Sequence, residues 1–370
     1  MSSDLPPGKV SMASGSRREG VPDRDRPDSE AVTPSERGSA STPRRPTSRD
    51  VARLAGVSQA SVSLVFSGKG SKRVSKATEK RVRDAGERLG YRPQAAARQL
   101  RLGRTGLVLL AVPNIRGPLF AQVLASAHDA AEAHGLTVVA SSSWNSKTMA
   151  RVLSANQFDG LMICSPNDRQ IGELPPLVPT VLIDSDPALS ARNRLVVDLD
   201  VAGGMRRAVG HLVDLGHHSI GHLRYRRTSY SFRSRQAAFE AAARDLRVTE
   251  FSIPLTEALD PTLDTARKLL SDGTPPRAVV CDDDVAAAGV YHAAATLGMR
   301  VPDDISVVGI DNTDVAGMLL PGLTTVDLHG EELGRLGVDA MAAMLRGETV
   351  EPLKQVPTDL VIRQSTRPAG

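Results

Sequence analysis

Between residues 106 and 370, short apolar runs alternate with stretches whose apolar residues recur at helical spacing. Leu107–Val112, Leu136–Ala140, Gly160–Cys164, Thr180–Ile183, Ser219–Leu223, Ala278–Cys281 and Ile305–Gly309 read as strands. The patterns near 119–134, 201–215, 233–246, 262–271, 284–297 and 330–346 read as helices. A strand with no polar face must be covered on both sides, and an intervening helix brings the next strand back parallel to the last. The alternation therefore predicts an α/β body with parallel sheets. No unit repeats at a period of 20–50 residues, which excludes a solenoid.

Charge divides the chain differently. The formal net charge is +4, but residues 1–46 contribute +1, residues 47–105 contribute +10 and residues 106–370 contribute −7. A compact basic block on an acidic body points to a polyanion-binding module on a scaffold with another task. Residues 1–46 are rich in Pro, Ser, Gly, Arg and Asp with hardly any large apolar residue, so a disordered extension is expected there. No window has the length of apolar sequence a membrane span needs, and the N-terminus lacks a basic-then-apolar signal pattern. Cys164 and Cys281 are too few for a disulfide framework. These features lead to the expectation of a cytoplasmic protein without a membrane partner.

Within the basic block, residues 47–92 read as three short helices. Thr47 with Asp50 forms a capping-box pattern opening a helix that Gly56 ends. Ser58 caps a second helix, Gln59 to about Phe66, and Ser75 caps a third that runs to Leu89 and stops at Gly90. Val51, Leu54, Val57, Val62, Val65, Phe66, Val82 and Leu89 are the expected core. The spacing from Asp50 to Ser63 is that of a helix-turn-helix. It turns Gln59, Ala60, Ser61, Ser63 and Leu64 toward a DNA major groove, where a Gln amide suits an adenine edge and an Ala methyl suits a thymine methyl. Lys69 and Arg73 flank this face and suit phosphates.

The run from Thr47 through Val74-Ser75 to Gly90-Tyr91-Arg92-Pro93, with a distal Pro321-Gly-Leu-Thr-Thr-Val326, resembles the LacI/GalR (lactose-repressor) family of bacterial transcriptional regulators over about 47–366. The resemblance implies that Gln59 and Ala60 select bases, while Leu64 stands where that family commonly has Arg. Thr47, Ser58, Ser61 and Ser63 then belong to the DNA face. It also implies a hinge and linker over 93–105 in which Leu100 wedges into the minor groove and Gln94, Ala97 and Arg101 accompany it. For 106–366 it implies a periplasmic-binding-protein-like effector and dimerisation core, with subdomain one at about 106–184 and 328–348 and subdomain two at about 185–326 and 350–366.

Open α/β sheets bind ligands beyond their strand carboxyl ends, so residues just after strands are candidates whatever the family. Asn114, Leu119 and Phe120 follow the first strand, Asp184 follows Thr180–Ile183, and Asp311 follows Val307–Ile310. By resemblance, Arg235 matches an Arg-x-x-Gly-Phe pattern with Ala238 in place of Gly, and Asp283 falls where the family has Asn. An Arg among carboxylates suits a sugar, polyol or nucleoside, because hydroxyls donate to Asp and accept from Arg. Asp282-Asp283-Asp284 reads as helix capping rather than a metal site, and the histidines at 211–222 are scattered by helix and strand geometry. No nucleophile elbow, paired catalytic carboxylates or phosphate-cradling Gly loop is present, so no enzyme and no cofactor are expected. The overall expectation is a small all-α helix-turn-helix domain plus an α/β core of two subdomains. Its function would be that of a homodimeric, sequence-specific regulator, in all expectation a repressor, binding a pseudo-palindromic double-stranded operator under control of a small-molecule effector. A regulator without an effector and a transporter's solute-binding protein are the alternatives.

Overall fold

The computed structural model describes residues 46–66, 74–91, 104–142, 157–174, 178–254, 259–271, 273–348 and 355–370. The chain divides into two units, Met1–Arg92 and Pro93–Gly370.

In the first unit, α1 (Ser48–Ala55), α2 (Gln59–Phe66) and α3 (Lys76–Leu89) close around Val51, Ala52, Ala55, Val62, Val65, Val82 and Ala85. Their ends are chemically marked. The Thr47 N–H and hydroxyl both donate to the Asp50 carboxylate, at 2.9 and 2.7 Å. Gly56 adopts φ +63°, which lets the chain leave α1 in a left-handed turn that a side chain disfavours. Ser58 and Ser75 accept from the Ser61 and Thr78 N–H groups at the starts of α2 and α3. Phe66 lies directly on Gly86 and meets Tyr91 edge-on at 5.3 Å. Leu54 is a correction to the expected core, since it is exposed. The buried stripe of α1 runs through Val51, Ala52 and Ala55, and Leu54 lies on the flank beyond it.

The second unit carries two sheets. β1 (Leu107–Ala111), β2 (Thr137–Ser141), β3 (Gly160–Cys164), β4 (Thr180–Ile183) and β5 (Arg194–Val197) form a parallel sheet in the order β2-β1-β3-β4-β5. β6 (Ser219–Tyr225), β7 (Arg247–Ile253), β8 (Ala278–Cys281), β9 (Ser306–Asp311), β10 (Thr324–Asp327) and β11 (Asp359–Val361) form the other, in the order β11-β10-β9-β8-β6-β7. In it only β11 runs antiparallel. The helices that cover the sheets are α4 (Pro118–Ala133), α5 (Asp168–Gly172), α6 (Val201–Asp214), α7 (Tyr230–Ala242), α8 (Asp260–Ser271), α9 (Asp284–Thr296), α10 (Asp314–Met318) and α11 (Gly330–Arg346). Successive side chains of β1 serve opposite faces: Val108 and Leu110 join α4 and α11, whereas Leu109 and Ala111 join Leu161, Ile163 and Leu182.

The expected strands appear within a residue or two of their bounds, with four additions: β5, β7, β10 and β11. β5 moves a boundary. Because Thr180–Ile183 pairs with Arg194–Val197, the first sheet keeps the chain past Asp184. The crossing between lobes therefore lies near 198–200, where Leu199 bridges Val356, and not at 184–186.

Helices α4 and α11 approach closely because Gly330 and Gly334 lack side chains. A Cβ at Gly334 would stand 2.2 Å from the Val123 carbonyl oxygen and 2.1 Å from Ser126 Oγ. Since part of that obstacle is backbone, Gly334→Val is expected to lower stability by about 1–3 kcal/mol or more, read as a shifted urea midpoint.

Candidate functional site

In each sheet the strand order reverses at one point, between β1 and β3 and between β6 and β8. Loops leaving neighbouring strands part there, which opens a crevice beyond their carboxyl ends. Asn114 and Ser165 follow β1 and β3, while Arg227 and Asp282 follow β6 and β8. Backbone strain gathers at the same edges. Among the described residues the non-glycine positions with left-handed φ are Ser165, Asp184, Asp311, Asn312 and His329, each at or just beyond a strand's carboxyl end. Such conformations cost free energy and persist where surrounding structure enforces them, commonly at binding sites.

Three buried charged side chains face one another across this edge. Asp184 is buried, accepts from the Ser165 hydroxyl at 2.5 Å and leaves Oδ1 without a hydrogen-bond partner among the described residues. Arg235, on α7, is buried and donates from one terminal nitrogen to the Asp282 carbonyl at 2.6 Å, leaving Nε unpartnered. Asp311, the last residue of β9, leaves Oδ1 unpartnered. Burial pushes the carboxyl groups of Asp184 and Asp311 above the ordinary range, and the Arg235 charge opposes that rise in both. The Ser229 hydroxyl at the start of α7 is buried and unpartnered as well, and the Ser231 hydroxyl is buried beside Asp184. A buried polar atom without a partner costs about 1–3 kcal/mol, so a set converging on one place marks a surface completed by something else.

The remaining candidates separate. Asp283 caps α9, accepting from the Ala286 N–H at 2.6 Å and from the Tyr225 hydroxyl at 3.2 Å. Asn114 closes its own turn by accepting from the Arg116 N–H at 2.9 Å. Phe120 is half-buried against Gly117. Leu119 departs from the expectation: it is buried in the core, with Cδ1 3.0 Å from where a Cβ of Gly330 would stand, because the first turn of α4 points it at α11. The histidines are dispersed. His211 pairs with Thr366, His217 with the Arg367 carbonyl, and His222 with Asp282 while stacking on Phe239. Among the described residues no three His, Cys, Asp or Glu side chains are grouped to hold a metal ion.

Ser165, Ser229, Ser231, Tyr225, Arg227 and Phe232 were not singled out by sequence reasoning. Ser165 follows β3 and Tyr225 ends β6, so both were reachable by the same rule that found Asp184. Across the cleft, both terminal nitrogens of Arg233 on α7 reach the Asp168 carboxylate of α5, at 3.1 and 3.2 Å.

Asp284 is structural. It accepts from the Thr313 N–H and hydroxyl and from the Thr325 hydroxyl, tying α9 to β10 and to the start of α10. Burial raises its pKa from 3.8 to about 6. A raised carboxyl pKa means the folded chain holds the proton more tightly than the unfolded chain. Stability from this group is therefore greatest near pH 4 and is lost as pH rises through about 6. Asp284→Asn lacks that titration, so the wild-type midpoint relative to the variant's is expected to fall between pH 4 and 7 in denaturation series.

In the first unit, Gln59, Ala60 and Ser63 are exposed on α2, Ser61 and Leu64 are half-buried, and Val62 and Val65 face the core. Gln59 Nε2 donates to Ser48 Oγ at 2.9 Å. Thr47 and Ser58 lie at the starts of α1 and α2. Lys69, Arg73, Gln94, Ala97, Leu100 and Arg101 lie outside the described residues, as do the extension before residue 46 and most of the hinge.

A three-helix module presenting one helix face, joined to a two-lobed α/β core with a charged cleft, is the layout of a DNA-binding regulator with a sensing domain. Residues 47–94 match the model of the bacterial regulatory proteins of the lacI family, and residues 209–366 match a periplasmic binding protein-like domain. The HTH-type transcriptional regulator DegA of Bacillus subtilis is 30% identical over 338 residues, covering 86% of this chain and 97% of that protein. The ribose operon repressor of Halalkalibacterium halodurans is 28% identical over 333 residues, 87% of this chain and 97% of the repressor. The crystal structure of the lac repressor dimer bound to operator and the anti-inducer ONPF superimposes with a TM-score of 0.75 at 27% identity, covering 88% of this chain and all of that one. The chain belongs to the LacI family of bacterial regulatory proteins and is a DNA-binding transcriptional regulator.

Proposed function

We propose that this regulator is a homodimeric repressor. It holds a pseudo-palindromic operator through Thr47, Ser58, Gln59, Ala60, Ser61, Ser63 and Leu64, with Lys69, Arg73, Gln94, Ala97, Leu100 and Arg101 adding backbone and minor-groove contacts. Its switch is a polyhydroxylated small molecule bound among Asp184, Arg235, Asp283 and Asp311, with Asn114 and Phe120 at the edge. The observation that carries this reading is the set of buried, unpartnered atoms in the cleft, Asp184 Oδ1 and Asp311 Oδ1 at strand ends and Arg235 Nε on α7. Vicinal hydroxyls meet that demand because each donates to a carboxylate and accepts from a guanidinium. Met318 and Leu320, exposed apolar residues in the segment between β9 and β10, support a second copy as a partner. The two cysteines are buried free thiols, which suits work in the cytoplasm.

Ligand and operator are then coupled reciprocally, by about 1–3 kcal/mol. An operator selected from random duplexes, titrated by fluorescence anisotropy with pentoses, hexoses and nucleosides, is expected to show a 5- to 150-fold change with at least one ligand. Affinity indifferent to all of them overturns the sensing role of the cleft.

A further inference from the structure

Arg227 follows β6 at the reversal point of the second sheet, where the effector site lies. It is half-buried, and among the described residues no carboxylate lies within ion-pair distance of it. Its guanidinium instead rests against two rings, 5.6 Å from the Phe232 centroid and 5.9 Å from that of Tyr225. Arg235 lies on the same Phe232 ring, at 5.0 Å. Two guanidinium groups thus share one aromatic support at the first turn of α7, where the Ser229 hydroxyl is buried without a partner. Neighbouring cations repel, and cation–π contact returns only about 0.5–2 kcal/mol to each. Burial opposes the charged form of Arg227, Tyr225 and Asp283 act against it, and the Arg235 charge adds a smaller opposition. A helix amino terminus adds its own preference for negative charge.

We propose that Arg227 and Arg235, with the start of α7, hold an anionic group of the effector, so that the ligand is an acidic polyol: a sugar phosphate or a sugar acid. This rests on the reading of the cleft as a polyol site and narrows it. Asp184 and Asp311 take hydroxyls, Arg235 shares the anion, and Arg227 supplies the charge that separates the acidic ligand from its neutral parent. A bidentate guanidinium suits phosphate and carboxylate alike.

The test is calorimetry on the full chain at matched ionic strength. The probes are hexose and pentose phosphates, aldonates, their neutral parent sugars and inorganic phosphate. At least one acidic member is expected to bind tenfold or more tightly than its parent; a phosphate ester or an aldonate in that role says which anion the site takes. Arg227→Met, which keeps an apolar stem on Phe232, is expected to abolish the preference, Arg227→Lys to retain part of it, and Arg226→Met at the exposed neighbour to leave it intact. Parents that bind as well as their acids, or a preference that survives Arg227→Met, overturns the proposal and leaves the polyol reading standing. Inorganic phosphate binding as tightly as every ester also overturns it, since the sugar then contributes nothing. Failure of both acids and parents to bind overturns the two readings together.

Discussion

Arg235→Ala is expected to weaken effector binding by at least about a hundredfold, because hydrogen bonds from a charged donor contribute about 1.5–3 kcal/mol each and this side chain offers more than one. The loss has a second component inside the protein. The Arg235 charge is what opposes the upward shift of Asp184 and Asp311. Without it both carboxyl groups become harder to ionise, and a site built to accept from hydroxyls turns into one that competes to donate. Binding that remains in the variant should therefore recover as pH rises, whereas wild-type binding depends less on pH over the same range. Arg235 also donates to the Asp282 carbonyl, so Arg235→Lys, which keeps a charge without the fork, separates the two effects. Calorimetric titration at two pH values, beside operator affinity without ligand, makes the comparison. An unchanged ligand affinity in Arg235→Ala would remove the cleft from the binding event.

The parts of this fold that the sequence announces are those whose signal is local. Capping at Thr47, Ser58 and Ser75 and left-handed exits at Gly56 and Gly90 involve residues within a few positions of one another, and each appears where its spacing puts it. Buried parallel strands such as Gly160–Cys164 announce themselves by uniform apolarity. What escapes is whatever depends on a distant neighbour. β5 begins with Arg194 and spans four residues, so only its pairing with β4 makes it a strand, and with it moves the lobe boundary. β7 alternates at a sheet edge with Glu250 and Arg247 on view, which weakens its apolar signature. Leu54 and Leu119 have the right residue type and the wrong azimuth: rotation about the helix axis leaves one in solvent and drives the other into the core. Within the candidate site, Asp184 and Asp311 were legible because strand ends and charged residues coincide, whereas Arg235, on α7, was reached only through the family resemblance. Ser165, Ser229 and Ser231 were not legible, since a serine near a turn is common and only their burial beside Asp184 and the start of α7 distinguishes these.

Gln59→Ala is expected to reduce operator affinity while sparing random DNA, and the size of the reduction reports the symmetry of the complex. A Gln amide reads adenine by donating and accepting at once, worth about 1–3 kcal/mol against the wrong base. In the free chain Nε2 donates to Ser48 Oγ, which holds the side chain across the junction of α1 and α2. Ser48→Ala is therefore expected to weaken recognition by a smaller factor, because that orientation is no longer held. In a homodimer both half-sites are deprived of the base reading, so a 10-fold effect per half-site becomes about 100-fold overall when the two are independent. Lys76, exposed at the first turn of α3, supplies the contrast. Lys76→Ala is expected to weaken selected and random duplexes alike and to reduce the salt slope by about 1 for each phosphate that the ammonium neutralises. Gln59→Ala should leave that slope unchanged, because no counterion is released through it. Anisotropy titrations across a range of salt, with one operator and one scrambled duplex, distinguish the two. Equal weakening on both duplexes for Gln59→Ala would mean that α2 does not read bases.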